Sequence, residues 1–255
     1  MKVGLSNLVV AAALLTATTA LQCRGIPADQ PSSAESLLPH NYDPKFPYPV
    51  VVLLPPLGAT ADDVLRGFLP HDWFKSGTQA SFETWLSHPP PDHGGDAGRR
   101  GFILLLAGGK GTLEHGFDAT IRQTETDVAQ ALERLRSRHP FDSRRVVLAG
   151  FSLGGDVSFA MVLRHPERFA GAVIMSSGMN YGGKYLEGPP GRHLRMYLTM
   201  GALDPRLAGM KRSRQLIDQK GVTTAMTLVP GQEHQQPPGI EFLRGVSFVL
   251  ASDSK

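Results

Sequence analysis

The chain has 255 residues, 41% of them hydrophobic and 19% charged, with a formal net charge of +3 at pH 7. That length fits one α/β domain with a full core, and the composition is that of a globular protein. The basic residues are dispersed with no long run among them, which excludes the concentrated positive patch that nucleic-acid binding needs.

Residues 1–22 read as an export signal. Lys2 gives the positive start, Leu8 to Leu15 is wholly apolar, and Thr18-Thr19-Ala20 supplies small residues for cleavage. Cys23 follows directly and is the only cysteine, so no internal disulfide can form. Its position resembles the lipid-attachment site of bacterial lipoproteins, although Gln22 stands where a small residue is expected. Membrane anchoring through lipid on Cys23 and plain secretion (into the medium or the periplasm) are both open. Residues 23–46, with Pro27, Pro31, Ser32 and Ser33, read as a flexible segment, and residues 47–252 as a single domain.

Within that domain short apolar runs alternate with helical patterns. Strands are expected at Pro49–Leu54, Phe102–Ala107, Arg145–Ala149, Ala170–Met175, Leu194–Met200 and Thr223–Val229. Near-continuous apolar runs, rather than alternating ones, mark strands covered on both faces. Helices are expected at Ala61–Phe68 with Thr60 as cap, Thr120–Arg138, Ser152–Arg164, Leu207–Lys220 and Pro238–Leu250. Such alternation predicts an α/β fold with a mainly parallel sheet and helices on both faces. Residues 71–100, with Trp73, Trp85 and Pro89 to Pro91, fit neither period and read as an irregular insertion, either a surface excursion or a substrate cover.

The chemistry centres on Gly150-Phe151-Ser152-Leu153-Gly154, a G-x-S-x-G sequence between an apolar strand and a helical run. A serine on a sharp strand-to-helix turn has its hydroxyl held clear of the backbone, which suits a nucleophile. That hydroxyl needs a base, and the base needs an acid to orient it. Asp204 follows the fifth expected strand and His234 the sixth, in the chain order Ser, Asp, His that this fold uses. His234 is the only histidine after Asp204, whereas Glu233 beside it points elsewhere as its neighbour. For the oxyanion, the expected donors are the backbone N–H of Leu153, at the start of its helix, and of Leu57 in the loop after the first strand. Pro55 and Pro56 in that loop have no N–H to give.

Two other patterns carry less. Gly108-Gly109-Lys110-Gly111-Thr112 glances at a phosphate loop but lacks its first glycine and its Ser/Thr, and reads as the loop after the second strand. His88 and His93 lack partners for a metal site and read as surface loop. No cofactor and no metal are implied.

Taken together, the chain resembles the α/β-hydrolase superfamily, and within it secreted esterases of the polyhydroxybutyrate depolymerase, feruloyl esterase and phospholipase/carboxylesterase type. The resemblance is carried by Val50 to Leu54 followed by Leu57-Gly58-Ala59-Thr60-Ala61-Asp62-Asp63, by Asp142 to Val146 leading into Ser152, and by His165-Pro166-Glu167-Arg168-Phe169-Ala170-Gly171. It covers roughly residues 48–250. Such enzymes usually carry His-Gly where this chain has Pro55-Pro56. The expectation is an exported serine hydrolase acting on small or polymeric carboxylic esters, with Ser152, Asp204 and His234 catalytic. An acyltransferase using the same residues, and a fold-retaining binding protein with weakened catalysis, are the alternatives.

Overall fold

A computed structural model describes residues 36–39, 42–68, 101–179, 184–185 and 193–251. The chain divides into two units, 1–33 and 34–255, and every described element belongs to the second. The export signal, Cys23, the 71–100 insertion, His88 and His93 lie outside the described residues.

The elements run β1 (Ser36–Leu37), β2 (Tyr48–Leu54), α1 (Ala61–Phe68), β3 (Ile103–Leu106), α2 (Phe117–Arg136), β4 (Phe141–Phe151), α3 (Leu153–Arg164), β5 (Gly171–Met175), β6 (Arg195–Gly201), α4 (Leu207–Gln219), β7 (Thr223–Val229) and α5 (Gly239–Leu250), with a 3-10 turn at Pro166–Arg168 after α3. One seven-stranded sheet has the order β1-β3-β2-β4-β5-β6-β7, parallel throughout except for β1, which pairs antiparallel with β3.

The continuous apolar runs have a simple structural origin. Val50, Val52 and Leu54 of β2 face the layer of α2, α3 and α4, in one core with Ile121, Val157 and Met210. Val51 and Leu53 face the opposite layer, where α1 and α5 bring Val64, Phe68, Phe242 and Val246. A strand buried on both faces cannot alternate polar and apolar residues.

Three departures from expectation are informative. Ser36–Leu37, within the segment expected to be flexible, forms the edge strand β1, and Tyr42 stacks on Tyr48 with ring centroids 5.3 Å apart. β4 begins at Phe141 rather than Arg145, because Phe141 pairs with Tyr48 across an irregularity before the ladder resumes at Val146. α2 begins at Phe117, one turn before Thr120, following the positive-φ Gly116. Thr60 caps α1 as expected: its Oγ1 accepts the Asp63 N–H at 3.2 Å, while the Asp63 carboxylate accepts the Thr60 N–H at 2.8 Å.

Candidate active site

Ser152 sits between the end of β4 and the first residue of α3, with φ 55° and ψ −118°. Such a backbone costs of order 1–3 kcal/mol for a residue with a side chain, and its surroundings hold it there. The Ser152 N–H donates to Met175 O at 2.9 Å, and its carbonyl accepts from Gly155 and Asp156. The turn closes so tightly that a Cβ on Gly150 would stand 2.2 Å from the Gly154 carbonyl carbon, and one on Gly154 2.5 Å from Leu54 O. Both glycines are required by that crowding.

The parallel strands deliver the other two side chains to the same end of the sheet. Asp204 follows β6, its side chain wholly buried, and accepts from His234 Nδ1 at 2.9 Å and from the Arg206 backbone N–H at 2.9 Å. His234 lies in the loop after β7, with Nε2 3.2 Å from Ser152 Oγ. With Nδ1–H given to the carboxylate, the imidazole presents its lone pair at Nε2, toward the serine hydroxyl. The loop carrying His234 is tied down on three sides. Leu203 N–H donates to Gln232 O at 2.8 Å, Ser176 Oγ to Gln235 O at 2.8 Å, and Gln236 Nε2 to Val64 O at 2.6 Å. The Phe151 ring stacks on the imidazole at 5.3 Å and 14°.

Leu153 opens α3, so its N–H has no acceptor inside the helix. Leu57 lies in the β2–α1 loop, where its neighbours are pinned: Gly58 N–H donates to Gly111 O at 2.8 Å and Gly111 N–H to Ala59 O at 2.9 Å. Among the described residues neither the Leu57 nor the Leu153 N–H has a backbone acceptor outside a helix or strand. A cavity of about 260 Å³ lies beside this loop, lined by Leu54, Pro55, Gly111, Thr124, Asp127 and Leu153 among others. Among the described residues no group of three or more His, Cys, Asp or Glu is placed to hold a metal ion.

A family model described as Hydrolase_4, serine aminopeptidase, S33, matches residues 108–230, from the loop after β3 to the end of β7. The acylamino-acid-releasing enzyme of Rattus norvegicus is 27% identical over 161 residues, 60% of this chain and 19% of that one. The chain thus spans about a fifth of the length of that curated relative. A ferulic acid esterase from the anaerobic fungus Anaeromyces mucronatus superposes with a TM-score of 0.59 at 15% identity, over 83% of this chain and 82% of that one. A fluorophosphonate-binding serine hydrolase of Staphylococcus aureus gives a TM-score of 0.59 at 11% identity, over 85% and 91% of the two chains. The fold is the α/β-hydrolase fold.

At one end of the sheet all three side chains expected from sequence meet, and the imidazole takes Asp204 as its partner while Glu233 is exposed. Three contributors were missed. Phe151 stacks on the imidazole, Ser176 holds the His234 loop through Gln235 O, and Arg206 places its guanidinium against both Asp204 and His234. The sequence Asp204-Pro205-Arg206 held the one available signal, a cation two residues from the expected acid.

Proposed function

We propose that this chain is a serine hydrolase that cleaves carboxylic esters through an acyl-enzyme. Ser152 Oγ attacks the acyl carbon while His234 Nε2 takes the hydroxyl proton. Asp204 holds the imidazole by Nδ1 and supports its positive charge. The N–H groups of Leu57 and Leu153 stabilise the tetrahedral oxyanion. The proton then passes to the departing alcohol, and water repeats the sequence to release the acid and restore Ser152.

The observation that carries the reading is the run Ser152 Oγ to His234 Nε2 to Asp204 Oδ2, at 3.2 and 2.9 Å, with the serine on a strained turn. The α/β-hydrolase fold and the matches to serine hydrolases support it. A fluorophosphonate should label the protein at Ser152, and Ser152→Ala should abolish both labelling and turnover while the protein still folds. Labelling at another serine in that variant would overturn the assignment.

The substrate class is tested by nitrophenyl esters of increasing chain length, run beside feruloyl esters, polyesters and N-acylamino-acid amides. Turnover of the amides alone would replace the ester reading with a peptidase one. Export by residues 1–22 belongs to the same proposal. Palmitate incorporation abolished by Cys23→Ser would give the anchored form, and soluble product in the medium the secreted one.

A further inference from the structure

Neutral His234, having given Nδ1–H to Asp204, has one in-plane lone pair, at Nε2. Two donors face it: the Ser152 hydroxyl at 3.2 Å and Arg206 Nη2 at 2.7 Å. One lone pair accepts one well-directed hydrogen bond, and the shorter contact comes from the charged donor. The guanidinium is held in place as well. Nη2 also donates to Ser176 O at 2.6 Å, Nε lies 3.3 Å from Asp204 Oδ1, and Nη2 lies 3.3 Å from Asp204 Oδ2. The Arg206 backbone N–H fixes the same carboxylate at 2.9 Å.

We propose that Arg206 is a positioning residue that caps His234 Nε2 in the resting site and holds down the proton affinity of the base. The inference rests on His234 acting as the general base. When the Ser152 proton passes to Nε2, the new Nε2–H points into a region already occupied by a guanidinium donor. Two cations then stand against one another with a single carboxylate, Asp204, between them. Arg206 therefore opposes the imidazolium twice, by direct repulsion and by sharing the charge that would support it. It must draw back from Nε2 in each turnover.

Among the described residues, the other groups packed around the imidazole leave this balance to Asp204 and Arg206. From the end of β4 come Phe151 and Ser152, both uncharged; from the segment after β5, Ser176 reaches the His234 loop through the Gln235 carbonyl. Glu233, the chain neighbour, is exposed.

The test is the acid limb of kcat/KM against pH, which reports the base of the free enzyme. It is read with a nitrophenyl ester and, in parallel, as the rate of fluorophosphonate labelling. Arg206→Met and Arg206→Gln remove the charge, so in both the limb should move to higher pH by about one unit. Arg206→Lys keeps the charge and should leave the limb near the wild-type position. A limb that stays put or moves lower in a neutral variant whose Ser152 still labels would overturn the proposal. A merely structural role would lower the melting temperature or plateau rate without moving the limb, and that result also overturns it. Should both neutral variants fail to fold, through-hydrogen-bond coupling between Arg206 Nη2 and His234 Nε2 in nitrogen NMR of the intact protein reads the cap directly, and its absence decides against it. Failure of the wild-type protein to label at all would instead sink the hydrolase reading.

Discussion

Asp204 carries a full charge into a wholly buried position, and its donors explain how it stays there: His234 Nδ1, the Arg206 backbone N–H and the Arg206 guanidinium. Buried charge is tolerated when it is paired and hydrogen-bonded in this way. Asp204→Asn keeps the shape but loses the charge and can turn the imidazole to its other tautomer. In a Ser-His-Asp site that exchange lowers kcat by about 10⁴, and a loss of that order is expected here, measured as single-turnover acylation by a nitrophenyl ester. A loss below about tenfold would assign the acid elsewhere, with exposed Glu233 the next to test. Ser152, Asp204 and His234 were legible in the sequence because each lies at or in the loop just after the end of a strand of a parallel sheet, and strand ends can be read from apolar runs. Arg206 was not, because where its long side chain goes depends on how the loop after Gly201 turns, which no periodicity records.

The loop between β2 and α1 is shaped by another loop as much as by its own residues. Leu57 bridges to Gly111 in the segment after β3, and a Cβ on Gly111 would stand 2.1 Å from Pro56 O. Gly111→Ala should therefore push this loop away from Ser152 and lower turnover by roughly tenfold to a hundredfold, with labelling slowed in parallel. Leu57→Pro removes the proposed donor itself. Loss of one oxyanion donor costs about 3 kcal/mol, so turnover should fall by about a hundredfold, with circular dichroism melting as the check on folding. If both variants kept wild-type rates, Leu57 would not be the donor. Pro55 and Pro56 contact the problem differently, since their rings restrict the chain before Leu57; Pro55→His combined with Pro56→Gly should be tolerated. The Leu57–Gly111 bridge was not legible beforehand, because a pairing of single residues leaves no pattern. β1 was hidden for the same reason: two residues are too few to show a period.

Across the whole molecule, strand-helix alternation was enough to expect the sheet, its parallel sense and helices on both faces, since each βαβ step repeats the same burial. It could not show how the last helix is fastened. α5 crosses the sheet face opposite α3, and besides Phe242 and Val246 it brings Glu241, only 5% exposed. Glu241 accepts the Tyr197 hydroxyl of β6 at 2.6 Å and pairs with Arg244, while the same hydroxyl lies 2.7 Å from Thr227 Oγ1 of β7. A polar group so buried is stable only while all its partners are present. Burial first, and the Glu241 carboxylate second, push the Tyr197 hydroxyl up to about 12. The folded form thus holds this proton more tightly than the unfolded chain, where tyrosine titrates near 10. The stabilisation is complete below about pH 10 and declines as pH rises toward about 12, since the unfolded chain loses its proton first. Within that window the slope should approach, but not exceed, roughly 1.4 kcal/mol per pH unit. Tyr42, whose hydroxyl is also raised by burial, adds to the slope, so the quantity to read is the difference between the wild-type protein and Tyr197→Phe. In urea unfolding from pH 9 to 11.5, the wild type should lose stability more steeply than Tyr197→Phe, which starts lower because Glu241 has lost a donor. Equal slopes would mean that the hydroxyl titrates as freely in the folded protein as in the unfolded chain, and that the Tyr197–Glu241 bond does not help to fasten α5 to the sheet.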